Sequence, residues 1–137
     1  MEMLDLMKQR HSVRQYTDRP IEVEKRNALN SMIAQINQKA DLHIQPFYEE
    51  PQCFDSTMAH YGKFAGVKDY ISLVGKRSPK LEETLGYYGE QLVLKAQELG
   101  LNTCWVAVTY KKKLCRAVVK QNQQLVCVLA LGYGDTQ

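Results

Sequence analysis

Two guanidinium groups four positions apart bracket a hydroxyl in Arg10-His11-Ser12-Val13-Arg14-Gln15-Tyr16. Arg presents a fixed fork of N–H donors that matches phosphate geometry, and Ser adds a short neutral donor. The stretch can therefore converge on a phosphate. It also follows a short helical segment, and cations at a helix end offset the negative end of the dipole. Spacing alone favours this plainer structural role. Another candidate is Gly100-Leu101-Asn102-Thr103-Cys104-Trp105-Val106, where a helix exit turns into a strand that carries the single tryptophan of the chain. Such a turn can offer backbone amides and an apolar face to a flat ring. A core tryptophan beside a helix end accounts for the same residues.

Other chemistries find little support. Cys53, Cys104, Cys115 and Cys127 form no Cys-x-x-Cys pair, and three of them sit in apolar stretches. Free Cys behaves there as a small core residue, so buried reduced thiols are expected rather than a disulfide framework or a zinc site. His11, His43 and His60 lack metal-ligand spacing, so no metal is expected. A net charge of +3 is too mild to suggest nucleic acid, and Lys111-Lys112-Lys113 is expected as a solvated helix start. No apolar run approaches the roughly 20 residues that span a bilayer. The acidic, amphipathic start MEMLDLMKQRHS lacks the features of a signal peptide, so a cytoplasmic location is expected.

The elements that must position these residues follow from periodicity. With 137 residues, 45% hydrophobic and 24% charged, the chain suits one domain (1–137) with a real core. Met3 to Gln9 is predicted as a short helix whose apolar side runs through Leu4 and Met7 or through Met3, Leu6 and Met7. A longer helix follows Pro20, a residue suited to a first helical position, with Leu29, Met32, Ile33, Ile36 and Ala40 on one face. Leu42 to Tyr48 alternates as an edge strand, where Pro46 is tolerated. Residues 51–66 are the least regular. Asp69 to Gly75 is predicted as a strand. Ser78-Pro79 then starts a helix to Leu99, capped by the Ser hydroxyl and ended by Gly100. Gly86 and Gly89 cost that helix roughly 1 kcal/mol each; either close approach of another backbone or a partner offsets this, or the pair simply marks a weak helix turn. Thr103 to Val108 is strand-like, Leu114 to Val119 a short helix, and the unbroken apolar run Leu125 to Leu131 a strand buried on both faces. This order describes a layered α/β or α+β domain around a central sheet.

Taken together, several segments resemble the nitroreductase family. They are Arg10-x-Ser12-x-Arg14-x-Tyr16, Gly100-Leu101-x-Thr103-Cys104-Trp105 and Leu131-Gly132-Tyr133-Gly134, in that order. Tyr61-Gly62-Lys63-Phe64-Ala65-Gly66-Val67-Lys68-Asp69-Tyr70 and Gly86-Tyr87-Tyr88-Gly89-Glu90-Gln91-Leu92 resemble one branch of it, known mainly by fold. The resemblance covers nearly the whole chain. It implies an α+β three-layer sandwich, with a central mixed sheet and flanking helices, working as a homodimer that binds FMN between subunits. By carry-over, Arg10, His11 and Ser12 lie at the FMN phosphate, and Arg14 reaches the phosphate or the flavin pyrimidine. Trp105, Val106 and Ala107 lie by the isoalloxazine. The long helix contributes to the dimer, which gives Gly86 and Gly89 a reason. The implied activity is two-electron transfer from NAD(P)H through FMN to a nitro compound, quinone or similar small-molecule acceptor, with no catalytic side chain required.

The family pattern is incomplete. An Ala-Pro-Ser/Thr-Ala-x-Asn-x-Gln-type segment is missing, since Asn37-Gln38 belongs to a helical period. The basic residues after the Gly-Tyr-Gly strand are missing too, and Ala107-Val108 stands where the branch carries glycines. These departures suggest a shortened member or a chain cut to its first portion. They leave open an alternative class, a non-catalytic dimerising domain with or without bound flavin.

Overall fold

The computed structural model describes residues 3–54, 64–107 and 115–134. Helix α1 is Met3–Gln9, in which Leu6 turns inward while Leu4 and Met7 face outward. Helix α2 spans Val23–Ala40 and buries Leu29, Ile33 and Ile36, the face that the three- and four-residue spacing marks. It does not begin at Pro20. Glu22 is its N-cap residue and makes no side-chain cap bond. The carboxylate is engaged elsewhere, accepting the Tyr133 hydroxyl at 2.6 Å and pairing with Lys25 at 3.4 Å.

After α2, Asn37 guides the chain into the sheet. Its side-chain amide donates to Ile44 O at 2.9 Å and accepts from Ile44 N at 2.8 Å, just before strand β1 (Gln45–Phe47). A 3-10 turn at Pro51–Phe54 follows. Strand β2 is Asp69–Lys76, helix α3 Leu81–Glu98, strand β3 Asn102–Val106 and strand β4 Gln123–Gly132. The Ser78 hydroxyl does not cap α3, whose N-cap residue is Lys80. Gly100 leaves the helix at φ +82°, a conformation that favours glycine. Residues 115–120 form no helix, against expectation; Val108, Leu114 and Lys111 to Lys113 lie outside the described residues.

The sheet runs β1-β2-β4-β3, antiparallel between every pair of neighbours. Parallel pairing is confined to single bridges at Ser12–Thr103 and Gln15–Ala65. β1, with its proline, lies at one edge, whereas the apolar strands β2 and β4 are central and covered on both faces. A register shift between Leu73 and Val74 opposes one extra residue of β4, and Val126 and Cys127 both pack with the helix layer. That layer is α2 and α3, whose buried residues meet Ile71, Leu73, Leu129 and Leu131. The third layer is irregular chain: Val13, Tyr16, Cys53, Phe64 and Val67 cover Tyr70, Cys104, Val106, Val128 and Ala130.

The cysteines depart from the all-thiol expectation. Cys53 and Cys115 form a disulfide, with Cα atoms 4.4 Å apart, while Cys104 and Cys127 are free. Residues 115–118 form a strap beside β1. The Gln45 amide donates to Val118 O and accepts from Val118 N, both at 2.8 Å. Arg116 N donates to the Tyr70 hydroxyl at 2.9 Å, and its guanidinium lies 3.7 Å from Glu50.

Asp69 is one of the groups that tie the stability of the fold to pH. Its side chain is buried and accepts the Glu49 N–H at 2.9 Å, holding Glu49 at φ 59°. Burial raises its pKa above 3.8, and the Glu49 hydrogen bond only partly opposes this. A raised folded pKa stabilises the protein below the ordinary aspartate range, and that stability is lost as pH rises through the folded value. Asp69→Asn keeps the accepting oxygen without the charge. The variant should flatten the pH dependence of urea unfolding on the acid side of neutrality; an unchanged slope would show that Asp69 contributes nothing to it.

Candidate functional site

The segment after α1 runs as an added, irregular strand across the end of the sheet. Val13 N donates to Thr103 O at 3.0 Å, Tyr16 N to Ala65 O at 2.9 Å, and Ala65 N to Arg14 O at 2.9 Å. Thr17 N donates to Tyr133 O at 2.8 Å. These bonds fix the backbone from which Arg10, Ser12 and Arg14 project. Ser12 hydrogen-bonds the Cys104 thiol, and the Arg10 and Arg14 charges act on it. Burial pushes that thiol's pKa up, while the Arg14 charge, a hydrogen bond with Ser12 and the Arg10 charge act in the other direction. Tyr16 completes the group: burial and the neighbouring Cys104 push its phenol up, against the Arg14 charge.

The cluster is rich in donors and short of acceptors. Arg19, Lys25, Arg26, Lys76, Lys95 and Arg116 all sit beside carboxylates. Arg10 and Arg14 do not, among the described residues. Arg10 Nη1 and the Tyr16 hydroxyl are buried without a hydrogen-bond partner among the described residues. A buried donor left unpaired costs roughly 1–3 kcal/mol, and a charged one more, so such a group suits an anionic ligand. Arg14 also lies over Phe64, 6.0 Å from the ring centroid. Phe64 forms one wall of an open groove of about 960 Å³, also lined by Tyr16, Asp18, Glu49, Gln52 and Val67.

Arg10, Ser12 and Arg14 thus come together, whereas the other expected residues divide. Val106 is buried in the same apolar cluster as Val13 and Phe64. His11 and Ala107 are exposed. The Trp105 ring lies on the opposite face of the sheet. A Cβ placed on Gly89 of α3 would sit 2.5 Å from the ring, and the indole N–H reaches Glu90 at 3.4 Å. The side chain β3 presents to the cluster is therefore Cys104. It stands within the Thr103-Cys104-Trp105 motif, but strand parity had to be known to choose it over its neighbour. Among the described residues no group of three or more His, Cys, Asp or Glu side chains can hold a metal, and no helix is long and apolar enough to cross a membrane.

Solved nitroreductases share this α+β fold. An FMN-dependent nitroreductase of Clostridium difficile is 18% identical at a TM-score of 0.74, covering 98% of this chain and 88% of that one. A nitroreductase family protein from Clostridium novyi is 20% identical at 0.69, with 98% and 87% covered. A variant of the FMN and NADPH-dependent nitroreductase NfnB from Sphigopyxis sp. strain HMH is 16% identical at 0.70, with 98% and 89% covered. At these identities the likeness defines the fold. No curated protein matches the sequence. The sequence itself matches the family described as "Putative TM nitroreductase" over residues 2–137, and the chain belongs to that nitroreductase family.

Proposed function

We propose that the protein is an FMN-dependent oxidoreductase that uses NAD(P)H to reduce nitro compounds, quinones or similar acceptors. The supporting observation is the cluster itself: Arg10, Ser12 and Arg14 gathered in one place, with no carboxylate to neutralise the arginines among the described residues. A phosphate monoester fits this donor set, and the unpartnered Arg10 Nη1 gives it a charged hydrogen bond to complete. Bound FMN supplies the two-electron chemistry; the protein binds and orients it. Arg10, Ser12 and Arg14 would hold the phosphate, with Val106 and Ala107 offering backbone toward the ring. The neighbours named for FMN and NADPH use are consistent with this pair of cofactors.

Purified protein should be yellow with near-stoichiometric flavin and should bleach on adding NAD(P)H. A colourless protein that ignores added FMN would overturn the proposal. Arg10→Ala should weaken FMN binding by roughly ten- to a hundredfold, because a charge-assisted hydrogen bond is worth about 1.5–3 kcal/mol. Unchanged affinity in a flavin fluorescence titration would show that the phosphate lies elsewhere.

The working unit in this proposal is a homodimer. Leu4, Met7 and Tyr87 are exposed at 68%, 54% and 63%. A groove of about 580 Å³ opens among the three helices, its apolar floor of Leu6, Met32 and Leu94 rimmed by polar residues such as Gln35, Gln91 and Lys95. Apolar surface of this kind suits a subunit contact, and light scattering during size exclusion checks it. NAD(P)H supply places the activity in the cytoplasm. Counting thiols in freshly lysed cells tests that placement, because a reducing compartment opens ordinary disulfides. A second proposal, a dimerising domain without turnover, draws on the Trp105 ring facing α3 instead of the cluster. Flavin that binds but is not reduced by NAD(P)H would favour it.

A further inference from the structure

We propose that Asn102 is a positioning residue that holds the backbone of the Arg10–Arg14 cluster in place. Asn102 opens β3 and faces Gly132 across the ladder. Its side-chain Oδ1 accepts the Gly134 N–H at 2.8 Å, two residues farther along the chain. Gly134 is where the N-terminal segment rests. It pairs with Tyr16 in an antiparallel bridge, and Thr17 N donates to the adjoining Tyr133 O. A Cβ on Gly134 would stand 2.9 Å from Val13 Cγ1 and 2.9 Å from Asn102 Oδ1. Asn102 and Val13 therefore both close on Gly134 and leave no room there for a side chain.

Val13 lies between Ser12 and Arg14, and its N–H donates to Thr103, the residue after Asn102. The Asn102 amide thus ties together the three pieces of chain that meet at the cluster. Residues 132–134 are secured from the other side by Tyr133. Arg19 lies 3.9 Å over its ring, and its hydroxyl bonds Glu22 at 2.6 Å and Lys25 at 2.7 Å. Without the Asn102 amide, Gly134 keeps only the Tyr16 bridge, the Thr17–Tyr133 bond and this distant anchor, and the contact beneath Val13 loosens. Asn102 touches no ligand in this scheme; it acts through Val13. Its effect on FMN rests on the assignment of the cluster to the FMN phosphate.

Two measurements separate the two claims. In protein without added flavin, Asn102→Ala should raise hydrogen exchange at the Val13, Thr17 and Gly134 amides by roughly three- to tenfold, the loss of one ordinary hydrogen bond. Asn102→Asp, which keeps the accepting oxygen, should return exchange to the wild-type rate. In binding titrations, Asn102→Ala should weaken FMN by a similar factor and leave riboflavin, which lacks the phosphate, unchanged. Unaltered exchange in the alanine variant would overturn the proposal, as would equal weakening of FMN and riboflavin. If the wild-type protein binds no FMN, the phosphate assignment fails, and the exchange rates still decide whether Asn102 holds the segment.

Discussion

Reduction of the Cys53–Cys115 disulfide is expected to lower the unfolding free energy by roughly 4 kcal/mol. The two cysteines are 62 positions apart, and closing a loop of that length removes a large share of the unfolded chain's conformational freedom in the chain-entropy account. Little else compensates in the folded protein. The strap that carries Cys115 is otherwise held by the paired Gln45–Val118 bonds, the Arg116–Tyr70 bond and one ion pair with Glu50. Each is worth about 1 kcal/mol or less. Urea unfolding with and without reductant measures the effect, and a double Cys53→Ser, Cys115→Ser variant should resemble the reduced wild type. Protein purified in air and then denatured without reductant should titrate two thiols, Cys104 and Cys127, whatever the state of the bond in freshly lysed cells. Four thiols, or an unfolding midpoint indifferent to reductant, would sink the expectation.

The second large effect is a reversal of sign between two neighbouring glycines of α3. Gly86 has open space where a side chain would go: beyond the adjoining helix backbone, no atom of the described residues comes within 4 Å. Gly86→Ala should stabilise the isolated subunit by up to about 1 kcal/mol through helix propensity alone. At Gly89 the same change drives a methyl against the Trp105 ring at 2.5 Å and Leu73 Cδ1 at 3.1 Å. Overpacking costs roughly 1–3 kcal/mol, which cancels or outweighs the propensity gain of about 1 kcal/mol and leaves a net loss of up to about 2 kcal/mol. The chain has one tryptophan, so its fluorescence reports the disturbance directly. The emission should shift in Gly89→Ala and stay constant in Gly86→Ala. If both variants gain stability with unchanged emission, Trp105 does not pack on Gly89.

These contrasts show what the sequence could and could not disclose. Elements whose periodicity is local were legible: α1 falls on Met3–Gln9, the apolar run at 69–75 is β2, and Gly100 ends α3. Features that depend on distant partners were not. Pro20 looked like a helix start, yet α2 begins at Val23, where the Glu22 carboxylate meets Tyr133, 111 positions away. The disulfide joins two cysteines with no shared motif, so nothing local announced it. At β3 the ambiguity was one of parity. Adjacent strand residues face opposite sides, and without the register nothing decided whether Cys104 or Trp105 would meet the arginines. The expectation that Gly89 serves close packing was right in kind, but its neighbour is the protein's own indole ring.

The two margins of the sheet bear on how copies of the protein can meet. On one side Gln45 uses its side-chain amide as a stand-in for another strand, binding both backbone groups of Val118 beside the proline of β1. On the other, Ser12 and Val13 already lie along β3 through the bridge to Thr103. Neither border presents a long row of free amides and carbonyls to a newcomer. Growth by adding strand to strand, the usual route to fibres and continuous intersubunit sheets, is therefore blocked at both ends. In the proposed homodimer the contact then falls to the helical side, where side chains would make it and single substitutions could alter it without unpicking the sheet.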